Sequence, residues 1–280
     1  MKLHIIETGF FKLDGGAMFG VVPKSIWNKL NPADENNMCT WALRSLLIEE
    51  GDRRILVDTG MGNKQDEKFF SHYYLHGEDS LMGSLAKAGF SREAITDVVH
   101  THLHFDHCGG AIERLNGELV PAFPNATYWS NERHWKWATE PNDREKASFL
   151  KENILPMNNS GKLQMIPVSD TLTPFTEHVS FRFAYGHTDA MMLPQIRWNN
   201  RTFVFMADLL PSAAHLPIPY VMAYDMFPLT SLHEKKAFLE EAVANDYVLI
   251  FQHDPKIAAC TLHRTEKGIR MKDVYRFDAE

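Results

Sequence analysis

The sequence predicts a mixed α/β or α+β fold with layered sheets. Three observations carry that prediction. Short runs rich in Val, Ile, Leu and Phe alternate with stretches of helical spacing. The first such run is apolar almost throughout, as a strand covered on both faces would be. No repeat or low-complexity linker divides the 280 residues, so a single domain over 1–280 with a sizeable core is the simplest organisation.

In chain order, residues 42–49 (ALRSLLIE) and 54–58 (RILVD) read as two strands joined by the turn EGDR. SLMGSLAKAG at 80–89 has helical spacing and a glycine stop. A short helix starting near Ser91 leads into the strand TDVVHTH. TEPNDREK, from Thr139 to Lys146, is the densest polar stretch and reads as an exposed loop before a helix. VSFRFAYG (179–186), TFVFMAD (202–208) and YVLIFQH (247–253) read as strands, with Asn199-Asn200 marking a hairpin before the second. SLHEKKAFLEEAVAND opens with Ser231 and carries Glu234 three residues on. That is the pattern of a capping box ahead of an amphipathic helix with Phe238, Leu239 and Ala242 inward. IAACTLHRTEKGIRMKDVYRF reads as strands.

Hydrophobic residues make up 44% and charged residues 23% of the chain, ordinary values for a globular protein. Lysine and arginine number 29 against 36 acidic residues, a net charge of −7 with no basic stripe, which argues against a nucleic-acid partner. No run of about 18 apolar residues exists, so no membrane role is expected. The first residues lack the apolar region of a signal peptide. Cys39, Cys108 and Cys260 are an odd count without paired spacing, which fits a reducing cytoplasm.

Four strands share one feature: each runs into a histidine or an aspartate. VVHTH runs into residues 102–107, RFAYG into His187, FVFMA into Asp208 and VLIFQ into His253. A sheet pins the backbone before such loops, so it can hold reactive groups rigidly. HTHLHFDHCGG, from His100, contains the tight set His102-x-His104-x-Asp106-His107. In extended chain, residues two apart point the same way, so His102 and His104 can reach one ion. After a turn, Asp106 and His107 can face a second. Gly109-Gly110 is expected to give the backbone freedom for a sharp exit into a helix. With His187, Asp208 and His253 the set is five histidines and two aspartates. Neutral imidazoles and carboxylates suit zinc or a related divalent ion, and two such ions can activate a water between them.

THLHFDHCGG, GHT, FMAD, FQHD and the early ILVDTGMG, with Asp58-Thr59-Gly60, together resemble the metallo-β-lactamase superfamily. The resemblance runs from about residue 42 to 254. It implies a four-layer αβ/βα sandwich with the metals at one edge. It implies two Zn2+ (Mn, Co or Fe being alternatives), with His102, His104 and His187 on one and Asp106, His107 and His253 on the other. Asp208 would bridge them, and Asp106 would accept or relay the proton in catalysis. Flavodiiron-type members carry a glutamate where this chain has His104, which favours hydrolysis over redox chemistry. LDGGAMFGVVPKSIW resembles the lead segment of the lactonase and methyl-parathion-hydrolase-like branch, which places residues 1–40 near the active-site mouth.

The function this implies is hydrolysis of a small-molecule lactone or carboxylic ester. A phosphotriester is the alternative, ahead of a phosphodiester or thioester. A non-enzymatic metal-binding interaction protein on the same fold is a further alternative, and a homodimer is compatible with the sequence. Two departures from the family pattern stand out. Asp189 and Ala190 replace the Pro-Gly that often follows the GHT element, and Pro211 stands where many lactonases carry a tyrosine. Tyr220 and Tyr224 are the candidate stand-ins. Asp58 is the candidate to orient a ligand histidine. His215 is a candidate pocket residue or proton donor, although a plain loop histidine accounts for it better. Met18, Phe19 and Phe227 are candidates for an apolar wall or for core packing. His100 and Cys108 are expected to stay outside the ligand set, and the other histidines, His134 among them, to be structural or on the surface.

Overall fold

A computed structural model describes residues 1–277. Its strands in chain order are β1 (Lys2–Asp14), β2 (Met38–Glu50), β3 (Arg53–Val57), β4 (Asp97–Val99), β5 (Ile112–Leu115), β6 (Glu118–Pro121), β7 (Thr127–Ser130) and β8 (Leu163–Met165). There follow β9 (Thr173–Pro174), β10 (Val179–Ala184), β11 (Met191–Trp198), β12 (Arg201–Phe205), β13 (Val248–Ile250), β14 (Ala259–Thr265) and β15 (Gly268–Val274). The helices are α1 (Gly15–Phe19), α2 (Lys24–Trp27), α3 (Glu67–Ser71), α4 (Leu81–Lys87), α5 (Phe105–Cys108), α6 (Glu132–Thr139), α7 (Lys151–Asn159) and α8 (Pro228–Ala244).

Two main sheets form, in the orders β1-β2-β3-β4-β7-β8 and β15-β14-β13-β12-β11-β10-β9, with β5 and β6 as a separate hairpin. Side chains alternate across each strand, so one strand supplies two layers. Leu46, Ile48, Ile55, Val57 and Val99 from the first sheet join Phe181, Leu193, Phe203, Phe205 and Leu249 from the second in one buried cluster. The opposite face of the first sheet packs Leu47, Leu56, Val98 and Tyr128 against Leu81 and Leu85 of α4 and Ile154 and Met157 of α7. Helix α8 packs on β14 and β15 and buries Phe238, Leu239 and Ala242. Helix, sheet, sheet and helix make the expected four layers. Strand β2, buried on both faces along its middle, owes its near-continuous apolar run to this sandwiching.

The parallel neighbours β3-β4-β7-β8 and β12-β13 fix the polarity of the sheets. Strand ends running the same way bring Val99, Ala184, Phe205 and Ile250 to one edge, and each of the four chemistry-bearing stretches leaves from there. Asn199 and Asn200 close the β11–β12 hairpin with φ of 47° and 57°, the backbone a tight two-residue turn requires. Among the described residues no helix is long and apolar enough to cross a membrane.

Three expectations need correcting. The capping box at Ser231 does not form: α8 begins at Pro228, Ser231 lies inside it, and the Glu234 carboxylate accepts from the Tyr185 and Gly186 amides instead. Proline sets the helix start because its fixed φ suits the first turn and its missing N–H costs nothing there. The strands expected at TDVVHTH, 179–186, 202–208 and 247–253 end earlier, at Val99, Ala184, Phe205 and Ile250, so their ligand-type residues sit in the loops beyond. The stretch 139–146 is not wholly exposed, since Glu145 is 2% exposed. The sequence reading also missed β1. It enters as the edge of the first sheet with a register shift between Glu7 and Phe10, where Gly9 takes φ 112°.

Candidate metal centre

After β4 the chain stays extended through His104, whose φ and ψ are −63° and 153°, and then makes the single turn α5. The amides of His107 and Cys108 both bond the His104 carbonyl. Extended chain therefore presents His102 and His104 together, and the helical turn swings Asp106 and His107 round beside them. Gly109-Gly110 follows α5 directly and forms a single 3-10 turn with Ala111, and Gly109 has φ −61°, which any residue adopts. What the glycines provide is room: a Cβ on Gly109 would lie 2.0 Å from the Met61 carbonyl oxygen, and one on Gly110 2.2 Å from that of Thr59.

The seven expected donors converge. His104 Nδ1 lies 3.0 Å from His102 Nε2 and 3.2 Å from His187 Nε2. Asp208 reaches both sides, with Oδ2 3.2 Å from His187 Nε2 and Oδ1 3.1 Å from His253 Nε2. His107 Nε2 is 3.6 Å from both Asp106 Oδ2 and Asp208 Oδ1, and His253 Nε2 is 3.7 Å from Asp106 Oδ2. Among the described residues, three groups have donor atoms within 4.8 Å of one another: His102, His104 and His187; His102, His107 and Asp208; Asp106, His107 and His253.

The outward nitrogen of every one of these imidazoles is already engaged. His102 Nδ1 faces the Thr101 hydroxyl, His104 Nε2 faces Glu145, His107 Nδ1 faces Asp58, His187 Nδ1 faces Asp225 and His253 Nδ1 faces the Ala42 carbonyl. That leaves the inward nitrogens as the lone pairs. They point at each other and at Asp208 Oδ1, a buried oxygen with no hydrogen bond of good geometry. Converging acceptors without donors are costly to bury unless a cation sits among them, so the residues fit divalent ions. Electrostatics agree. Burial drives the His102 and His104 pKa values down. Burial acts the same way on His107, but the charges of Asp106 and Asp208 outweigh it and hold it well above the usual value. In His187, Asp208 and Asp225 likewise overcome burial.

Asp58 stands where expected, behind His107, with its Oδ2 3.0 Å from Nδ1. It takes φ 57°, uncommon for a residue with a Cβ, and its carboxylate is fixed by the Thr101 amide at 2.8 Å and hydroxyl at 2.7 Å. The loop after His187 keeps a left-handed residue despite lacking Pro-Gly: Ala190 has φ 54°. Asn131 holds it, donating from Nδ2 to the Ala190 carbonyl at 2.9 Å, while Arg133 pairs with Asp189 at 2.7 Å. His134 accepts from the Leu103 amide at 2.9 Å and reaches the Asp189 carbonyl at 2.7 Å, so one buried imidazole joins two ligand-bearing loops. His100 is buried with neither ring nitrogen bonded, apart from the cluster, and Cys108 Sγ turns away to the Leu103 carbonyl.

The cluster opens into a cavity of about 410 Å³ whose wall includes His104, Asp106, His187, Asp208 and His253. Met18 and Tyr224 line it as expected, and so do Leu13 and Ala17 of the N-terminal segment. Four candidates are not wall residues. Phe19 is fully buried and stacks on His215 at 4.7 Å and on Trp27 at 5.3 Å. His215 is clamped between the Ser212 hydroxyl and the Met18 carbonyl, and burial pushes it down to about 3, so it is not a proton donor to the cavity. Tyr220 packs edge-on against Phe19. Phe227 also stands outside, half exposed near Trp137. Sequence reasoning missed Tyr73, Phe105, Met222 and Met226 in the wall, and Glu145 and Asp225 behind the histidines. A lone acidic residue, in the polar stretch TEPNDREK or in the apolar VMAYDMF, carries no spacing signal that could have singled out either carboxylate.

The model of the metallo-beta-lactamase superfamily matches residues 44–257. An N-acyl homoserine lactonase from Bacillus cereus is 28% identical over 180 residues, 59% of this chain and 62% of its own length. N-acyl homoserine lactonase AiiA from Bacillus thuringiensis subsp. kurstaki is 27% identical over the same shares. The chain thus spans less than two thirds of these curated relatives. Among solved structures, a probable metal-dependent hydrolase from Staphylococcus aureus is similar with a TM-score of 0.86 and 26% identity over 98% of both chains. AidC, a dizinc quorum-quenching lactonase, has a TM-score of 0.80 at 22% identity, over 98% of this chain and 94% of its own, a likeness of fold alone.

Proposed function

Because the chain belongs to the metallo-β-lactamase superfamily, we propose that it is a dinuclear zinc-dependent hydrolase acting on a lactone or carboxylic ester. The observation that carries this reading is the convergence of seven buried donors at the floor of an apolar-walled cavity. His102, His104 and His187 would hold one ion, Asp106, His107 and His253 the other, and Asp208, within reach of both sets, would join them. Divalent ions bound there supply Lewis acidity toward the substrate carbonyl and lower the pKa of water.

The chain's own residues do the rest. Asp106 lines the cavity and is the carboxylate placed to take the proton from attacking water. Met18, Phe105, Met222 and Met226 exclude bulk water and give an apolar seat to the substrate's acyl part. Tyr73, in the same wall, carries its phenol proton at neutral pH as any tyrosine does, and would donate it to the leaving oxygen; burial and the Asp106 charge push its pKa up to about 12. Burial also raises Tyr224. These two wall tyrosines replace the one missing at Pro211. The lactone or ester preference is supported by the relatives named N-acyl homoserine lactonases.

A panel of lactones, aryl esters and phosphotriesters, assayed with the zinc-loaded protein, tests the substrate. The expected result is a kcat/KM for the best lactone or ester at least about 100-fold above any phosphotriester, about 2.7 kcal/mol of transition-state preference. A phosphotriester turned over faster than every lactone and ester would overturn the reading.

A further inference from the structure

The two donor groups differ in where their negative charge comes from. His102, His104 and His187 are three imidazoles, neutral as ligands, whereas the other group includes the Asp106 carboxylate. Behind the three-histidine group stand two buried carboxylates. Glu145 Oε1 is 2.9 Å from His104 Nε2, and Asp225 Oδ1 is 2.8 Å from His187 Nδ1, with the two acids 2% and 3% exposed. Behind the second group stand one carboxylate, Asp58, and a neutral carbonyl, that of Ala42.

The two outer acids come from separate loops that meet at the cavity mouth. Trp137 Nε1 at 2.6 Å and Asn142 Nδ2 at 3.2 Å fix the second oxygen of Glu145. Next to Glu145, the Arg144 guanidinium donates across the mouth to the Ala223 carbonyl. The Ala223 amide in turn donates to the Ala17 carbonyl at 2.8 Å, and Asp225 follows two residues later. Arg144, Glu145, Ala17 and Ala223 all line the cavity.

We propose that Glu145 and Asp225 are positioning residues that set the affinity of the three-histidine site selectively. They turn the lone pairs of His104 Nδ1 and His187 Nε2 inward and add, through the imidazoles, negative charge to a site whose own donors include no carboxylate beyond the shared Asp208. The Arg144–Ala223 bridge locks their loops together. This inference rests on the two-ion reading above. A carboxylate accepting the outer N–H raises the basicity of the inner nitrogen, and losing such a partner typically costs about 10–100-fold in metal affinity.

The test is a zinc titration of metal-free protein against a competing chelator, with cobalt(II) spectra as a second readout. Wild type takes up two ions. Glu145→Ala and Asp225→Ala are expected each to weaken one ion by about 10–100-fold and leave the other within about 3-fold. Glu145→Gln and Asp225→Asn recover part of the loss, because an amide oxygen still accepts the imidazole N–H and only the charge is gone. Arg144→Ala weakens the same ion by less. Equal weakening of both ions, or no change in either, overturns the proposal. If the alanine variants do not fold, the Gln and Asn variants decide it by the same criterion. A wild type that binds fewer than two ions overturns the underlying reading instead.

Discussion

Asp208→Ala is expected to lower kcat/KM by at least about 10³-fold, about 4 kcal/mol of transition-state stabilisation, and to cost the protein bound metal. Asp208 has one oxygen 3.2 Å from His187 and the other 3.1 Å from His253, the two histidines assigned to different ions. Removing it strips a donor from both sides and leaves five imidazoles with a single carboxylate, Asp106. Asp208→Asn keeps the shape but offers one neutral oxygen, so it should retain more metal than Ala and still lose most of the activity. His102→Ala should behave like Asp208→Ala, because His102 belongs to two of the three donor groups. Metal analysis beside steady-state kinetics on each variant reads the result. Full metal and full hydrolysis in both Ala variants would remove the basis for the assignment.

The largest expected effect on folding comes from Gly109→Ala. Its Cβ would sit 2.0 Å from the Met61 carbonyl oxygen and 2.4 Å from its carbon, both backbone atoms that no rotamer change can move. The segments 58–62 and 107–110 pack backbone to backbone, joined by Thr59 N to the His107 carbonyl at 2.8 Å and Gly110 N to the Gly60 carbonyl at 3.1 Å. Forcing them apart shifts Asp58 away from His107. A loss of about 3 kcal/mol in urea unfolding, with weakened zinc binding, is expected. Gly89→Ala is the contrast: Gly89 has φ 87° but nothing within 4 Å of the added Cβ, so only the strained backbone costs, about 1 kcal/mol. A Gly109→Ala variant no less stable than Gly89→Ala would refute the packing argument.

The seven donors and the sandwich were readable because each rests on a local pattern. Apolar runs mark strands, and a histidine or aspartate after such a run lands at the sheet edge whatever the loops do. The HxHxDH spacing works through extended chain followed by one helical turn, both short-range. Glu145 and Asp225 were not readable, since each meets its histidine across about 40 residues through loop packing alone. His134 is structural, within what was expected of it, but its two partners, 31 and 55 residues away, were out of reach for the same reason. For His215 and Phe19 the sequence left a pocket role and a structural role both open, and their stacking on each other beneath the wall decides for the structural one. Ser231 and Glu234 carried a valid local signal that lost to Pro228, which starts the helix three residues earlier, and to two backbone amides that claim Glu234.

The central claim is that seven donors hold two ions and that hydrolysis depends on both. Its most direct test is hydrolysis of the best lactone or ester by metal-free protein during stepwise addition of zinc. Activity should be absent at the start, rise with zinc and level off at two equivalents. Undiminished hydrolysis by the metal-free protein, or a plateau at one equivalent, would contradict it.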